Sequence, residues 1–314
     1  MPSRVVIGGA GGFMGQELVA RFRGQGREVV TIGRRGSDLT WNDSAGLTDA
    51  VDGAGLVLGL AGKSVNCRYT PENRAEIFAS RVRTTRALHD ALVAATEPAP
   101  VWINSSTATI YRHAMDHPQT ESAGELGRGF SVDVAKEWER ELFEGDLPGV
   151  RRVAIRSAIV LGEGGGVLAA PKPLAKQGMG GAQVDGWWPV SKARRAAGTA
   201  HDPGARGGTQ HFSWIHLDDV ARAIEHIEST PALEGPVNLS SPHPVDNRTL
   251  MREVRQRFGL RIAPPLPRWA LEIGAMAMRT ETELILKSRW VLPERLEQTG
   301  FTFTHPTLAD ALDA

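Results

Sequence analysis

A chain of 314 residues, 41% hydrophobic and 23% charged, is long enough for one large domain or two unequal ones and has the balance of an ordinary globular protein. Its 36 basic and 36 acidic residues cancel, so no global field draws it to nucleic acid or an anionic membrane, and no apolar run reaches membrane-spanning length. Cys67 is the sole cysteine, which excludes an intrachain disulfide and a cysteine-built zinc site; no metal is expected, and Met-Pro-Ser-Arg leads straight into an apolar run with no room for a signal peptide, so the expected compartment is the cytoplasm.

In chain order, Val5-Val6-Ile7-Gly8 reads as a strand that breaks into glycines and resumes as a helix at Phe13. Gly9, Gly12 and Gly15 allow backbone to approach a pyrophosphate, whose charge then rests on helix N–H groups. Residues 28–33 form a second strand ending in Arg34-Arg35, where a site for NAD(H) carries Asp or Glu. A guanidinium pair there can clamp a ribose 2′-phosphate, which favours NADP(H) over NAD(H). A short strand is expected at 38–41, a helix at 45–52, a buried strand at 56–62, a long helix at 71–95, a strand at 101–107, a helix at 130–143 and a strand at 152–161. This alternation predicts an α/β fold with a Rossmann-type, doubly wound parallel sheet over 1–161 and a smaller, mixed C-terminal part on the substrate side over 162–314.

Residues 182–211 hold glycines, prolines and Lys192, Arg194, Arg195 and Arg206 with little periodicity, and are expected to be a long inserted loop, a lid or an oligomer contact. A strand turning into a helix follows from Phe212 to Ser229, then a strand at 236–240 and a helix from Asp246 to Phe258. Pro264, Pro265 and Pro267 open a helical extension over 264–314, interrupted by a strand-like Phe301-Thr302-Phe303. Trp187, Trp188 and Trp214 either line a substrate pocket or pack the insertion against the body.

Together the glycine loop, Leu60-Ala61-Gly62, the run from Ser105 to Tyr111 and the turn from Ser213 to Asp219 resemble the extended and atypical short-chain dehydrogenase/reductases. The likeness is strongest to a branch described as NAD-dependent epimerase/dehydratase-like, some of whose members are called cell-division-inhibitor-like. That branch carries Ser80-Arg81 and Thr84-Thr85 in the third helix, Trp138-Glu139 in the fourth, and an extension like residues 284–312 with Lys287-Ser288-Arg289 and Gly300-Phe301-Thr302-Phe303. The resemblance implies that Gly9, Gly12, Phe13, Met14 and Gly15 hold the pyrophosphate and Arg34 and Arg35 the 2′-phosphate. It places Leu60 and Ala61 at the adenosine side, and has Glu76 and Arg81 reach the cofactor from the third helix. A homodimer through the third and fourth helices is common in that superfamily.

Enzymes of that superfamily move a proton through a tyrosine while hydride passes to or from nicotinamide, with a lysine four residues later and a Ser or Thr on the substrate oxygen. Thr107 and Lys136 match the Ser/Thr and the lysine, but the tyrosine position is Val132, which cannot transfer a proton. Only two tyrosines exist, Tyr69 and Tyr111; Tyr111 and His216 are the substitutes considered first, with Ser106, His113 and Glu121 also near the strand ends. Two functions stay open. One is an NADP(H)-dependent oxidoreductase or epimerase-like enzyme acting on a small molecule with an atypical proton donor; the other is a non-catalytic NADP(H)-binding regulator or sensor. A lyase or dehydratase with tightly held cofactor is a third idea.

Overall fold

The computed structural model describes residues 3–162, 181–201, 203–257, 259 and 262–314. Strands β1 (Val5–Gly8), β2 (Val29–Gly33), β3 (Leu39–Thr40), β4 (Leu56–Gly59), β5 (Val101–Thr107) and β6 (Arg151–Ser157) alternate with helices α1 (Phe13–Gly24), α2 (Ser44–Val51), α3 (Pro71–Ala94) and α4 (Phe130–Phe143). Then come β7 (Ile159–Leu161), β8 (Gln183–Val184), α5 (Lys192–Ala196), β9 (His211–Phe212), β10 (Trp214–His216), α6 (Leu217–Ser229) and β11 (Gly235–Leu239). The chain ends with β12 (Val245–Asp246), α7 (Asn247–Arg257), β13 (Leu266–Pro267) and helices α8 (Arg268–Ala277), α9 (Glu283–Leu286), α10 (Glu294–Gln298) and α11 (Leu308–Asp313).

Seven strands make one sheet in the order β11-β6-β5-β4-β1-β2-β3, every neighbouring pair parallel. Successive strand residues point to opposite faces, and both faces are covered. Val5, Ile7, Leu56, Leu58 and Ile103 pack under Leu18 and Phe22 of α1 and Val220, Ile224 and Ile227 of α6. Val6, Val57, Trp102 and Ala154 pack under α2, α3 and α4 through Leu47, Val51, Leu88, Leu92 and Leu142. The α/β doubly wound, Rossmann-type architecture expected from the alternation is therefore present. Strand order reverses between β1 and β4, which opens the crevice where such sheets bind ligands.

Three expectations change. The strand expected over 152–161 is two: it breaks at Ala158, whose N–H donates to Leu239 O, and β7 leaves the sheet to pair with β10. Strand-forming residues resume directly after Ala158 with no glycine or proline at the break, so the local sequence does not reveal it. The 182–211 stretch is not a bare loop; β8 pairs with β13 and α5 is capped by Ser191. Its anchors are buried polar groups: Asp185 bonds Arg268 and His201 at 2.9 Å each, a pattern with no hydrophobic period to detect. Phe301 to Phe303 has no strand pairing; the two rings meet edge to face at 4.8 Å and pack on the core under α6. The sheet also draws its last strand, β11, from beyond residue 161. Among the described residues no helix is long and apolar enough to cross a membrane.

Candidate functional site

At the crevice, β1 runs into Gly9, whose φ of +85° an L side chain adopts only with strain. A Cβ there would lie 2.8 Å from the backbone nitrogen of Ala61, so the loops after β1 and β4 touch backbone to backbone. Gly15, buried in the first turn of α1, sits as tightly: a Cβ would be 2.5 Å from Gly9 O. The result is a loop pressed flat against its own helix. Gly12 is the N-cap, with no side-chain cap and no acidic residue in the first turn, which leaves the N-terminus of α1 a favourable place for an anion. Phe13 and Met14 are half-buried beside it, and Leu60 and Ala61 half-buried across the crevice.

Arg34 and Arg35 are exposed at the end of β2, and neither is bonded to another group among the described residues. The turn that presents them is braced from below. The Asp38 carboxylate accepts from Thr31 N at 2.9 Å and from Thr31 Oγ1 at 2.7 Å, bonds that hold it ionised below the usual carboxylate range. Arg81 is buried, donates to Lys63 O at 3.1 Å just past β4 and lies over the Trp138 ring at 4.7 Å. Burial without a carboxylate holds its pKa down at about 10. Glu76, by contrast, is exposed and pairs with Arg83 at 2.9 Å on the outer face of α3.

The end of β5 carries Thr107, half-buried, whose Oγ1 accepts from Thr109 N at 3.2 Å. Lys136, half-buried on α4, donates to Gly127 O at 3.0 Å. Val132, one turn before it, is fully buried. No proton can move there.

Tyr111 lies in the core. Its hydroxyl donates to Asn238 Oδ1 at 3.0 Å and accepts from Arg156 Nη1 at 2.9 Å. Burial raises its pKa despite the neighbouring Arg156. Arg156 in turn forms a two-point bond to Glu139, Nε–Oε1 2.8 Å and Nη2–Oε2 2.7 Å, and Ser106 donates to the same carboxylate at 2.6 Å. One oxygen of Glu121 accepts from Asn238 N at 2.8 Å, the other is buried without a hydrogen-bond partner among the described residues, and burial raises its pKa. Ser106, Tyr111 and Glu121 are thus joined in one buried network that ties β5, β6 and β11 to α4. His216 is the N-cap of α6, its Nδ1 accepting from Asp218 N at 3.3 Å, and its ring lies 4.0 Å from that of His305. His113 Nδ1 accepts from Ser288 N at 3.1 Å. Trp214 is fully buried among Leu161, Leu250 and Val254, whereas Trp187 is 82% exposed.

Residues that sequence reasoning did not assign to the site come from the C-terminal extension and from the loop before α3. Lys287 Nζ donates to Thr109 O at 2.7 Å, and Arg289 Nε to Thr109 Oγ1 at 3.2 Å, two residues past Thr107. Tyr69 Oη lies 3.4 Å from Ser131 Oγ, and Ser131 donates to Glu283 at 3.2 Å. Burial pushes the Tyr69 phenol up to about 12. Lys287-Ser288-Arg289 was visible as a motif, but its reach to Thr109 spans 178 residues of sequence, a contact no local pattern carries.

Comparison with known proteins agrees with this geometry. Residues 5–129, which supply five of the seven strands and the crevice, match the NAD dependent epimerase/dehydratase family, and residues 266–314 match a domain of unknown function, DUF1731. Those first residues carry the NAD dependent epimerase/dehydratase family domain. The chain is 29% identical to the epimerase family protein MT2273 of Mycobacterium tuberculosis over 98% of this chain and 96% of that one. It is 26% identical to the human epimerase family protein SDR39U1 over 98% of each. Among solved structures, human SDR39U1 (isoform2) with NADPH superposes with a TM-score of 0.81 at 24% identity, covering 98% of this chain and 97% of that one. The UDP-glucose 4-epimerase of Thermotoga maritima follows with a TM-score of 0.71 at 14% identity, covering 98% and 96%. These structural likenesses establish the Rossmann-type fold of the chain.

Proposed function

We propose that this chain belongs to the epimerase family, binds NADP(H) and acts as an oxidoreductase or epimerase-like enzyme on a small molecule. The observation that carries the reading is the cradle at β1–α1, shaped so closely that a Cβ at Gly9 or Gly15 would fill it, with two unengaged guanidinium groups at the end of β2. Gly9, Gly12, Phe13, Met14 and Gly15 would hold the pyrophosphate, Arg34 and Arg35 the 2′-phosphate, and Leu60 and Ala61 the adenosine side. Arg81 and Lys136 would reach the rest of the cofactor; Glu76 is paired with Arg83. NADPH bound to human SDR39U1, which shares this fold, supports the same guest. Such a cofactor supplies hydride chemistry at its nicotinamide.

The chain's own part is to hold a substrate oxygen and supply a proton. Thr107, at the end of β5, is suited to the first task. For the second, Val132 is inert and Tyr111 is committed to Arg156 and Asn238. Tyr69 is the remaining phenol, set against Ser131, the residue before Val132. Like any phenol it is protonated at neutral pH, the state a proton donor needs, although burial, which pushes it up to about 12, makes it a weaker acid. Val132 also favours a second reading, a cofactor-binding regulator without turnover, which loses its ground once NADPH is consumed against any carbonyl or enone of a broad panel.

NADPH and NADH titrations of the wild type and of Arg34→Ala/Arg35→Ala test the cofactor. A charge-assisted hydrogen bond is worth about 1.5–3 kcal/mol, so the double variant should bind NADPH roughly 10- to 100-fold more weakly with NADH affinity unmoved. Equal wild-type affinity for the two cofactors would remove the 2′-phosphate argument.

A further inference from the structure

Two buried cations of the C-terminal extension end on one threonine. Lys287 is 7% exposed and Arg289 8%, yet no carboxylate lies within ion-pair distance of either among the described residues. Burying like charges side by side is expensive unless a counter-charge is at hand. The nearby carboxylates are already matched: Asp185 and Glu272 by Arg268, Glu281 by Arg194. Glu283 alone acts on the pair, and only at longer range, while it accepts from Ser131. Among the described residues the local balance is therefore positive. Known bonds take one Lys287 proton, to Thr109 O, and the Arg289 Nε and Nη1, to Thr109 Oγ1 and Leu284 O. Thr109 links the two side chains to Thr107 through its N–H.

We infer that Lys287 and Arg289 hold an oxyanion of the substrate, a carboxylate or a phosphate, beside the oxygen that Thr107 would hold. This rests on the enzyme reading above for the role of Thr107, but the anion site itself does not need turnover. A substrate bearing its carbonyl or hydroxyl near an acidic group would be gripped at both ends, and the extension would select it. A neutral analogue would leave two cations buried without a partner, which is how a buried polar site rejects the wrong ligand.

The test is calorimetric titration of malonate and of inorganic pyrophosphate into the full-length chain, with and without saturating NADPH. With NADPH filling the glycine loop, wild type should bind at least one of the two. Tighter malonate binding assigns the carboxylate, tighter pyrophosphate binding the phosphate. Lys287→Met and Arg289→Gln should each weaken that binding about tenfold to hundredfold while NADPH affinity stays at the wild-type value. Should Arg289→Gln fail to fold, Lys287→Met, which keeps the alkyl stem and drops the charge, carries the comparison. Absence of binding to wild type, or binding untouched by the charge-removing variants, overturns the inference. Failure of wild type to bind NADPH would instead defeat the cofactor reading; the oxyanion arm without NADPH would still be decided by the same variants.

Discussion

Glu139→Ala is expected to destabilise the fold by about 3–5 kcal/mol, the cost of breaking a buried ion pair by removing one partner. Arg156, 7% exposed, would keep its charge and lose both bonds to the carboxylate. Burial works against that charge, and the bonds to Glu139 are the largest of the contacts that offset it. Ser106 would lose its acceptor as well. Glu139→Gln should cost less, because an amide oxygen can still accept from Ser106 or Arg156. Urea unfolding with unchanged slope reads the difference. An alanine variant within ~0.5 kcal/mol of wild type would show that the network relaxes or admits water. The loss should reach function, because Ser106 precedes Thr107 and Glu139 lies on the same helix as Lys136.

The second large effect belongs to Gly9→Ala. The left-handed backbone costs a non-glycine residue roughly 1–2 kcal/mol. The new methyl would also stand 2.8 Å from Ala61 N and 2.9 Å from Ala61 Cα, backbone that cannot swing aside. Overpacking of that kind adds about 1–3 kcal/mol. The two loops must part, and the parting falls on the surface proposed for the pyrophosphate. NADPH affinity should therefore drop at least as steeply as stability, about 10-fold or more for each 1.4 kcal/mol of lost contact. Gly11→Ala is the control, since a Cβ at Gly11 meets nothing within 4 Å. Equal NADPH affinity for the Gly9 and Gly11 variants would mean that the cofactor does not touch this loop.

Much of the nucleotide half was legible in the chain. β-Branched strands alternating with amphipathic helices predict a parallel sheet because each strand must be buried on both faces, and Gly9 and Gly15 must be glycines for backbone to approach backbone. The missing tyrosine was equally plain, since Val132 can be read by counting back from Lys136. These are local facts, carried by neighbouring residues, and a sequence displays them directly.

Other roles depended on distant partners. The two phenols are indistinguishable in a string; only the fold sends Tyr111 to Arg156 and Asn238 and sets Tyr69 against Ser131. His216 reads as a candidate acid until its ring is seen capping α6, and Glu76 reads as a cofactor ligand until it is found with Arg83. The stretch at 182–211 looks unstructured because its anchors are ion pairs, which have no period. Its order is supplied by Arg268, 83 residues away from Asp185. Composition, strand alternation and the glycine loop determined what kind of sheet this is and where a nucleotide would lie. Tertiary structure alone decided which polar groups are spent on one another and that Lys287 and Arg289 meet at Thr109, because pairing of buried charges is a property of distance in space, and sequence separation does not record it.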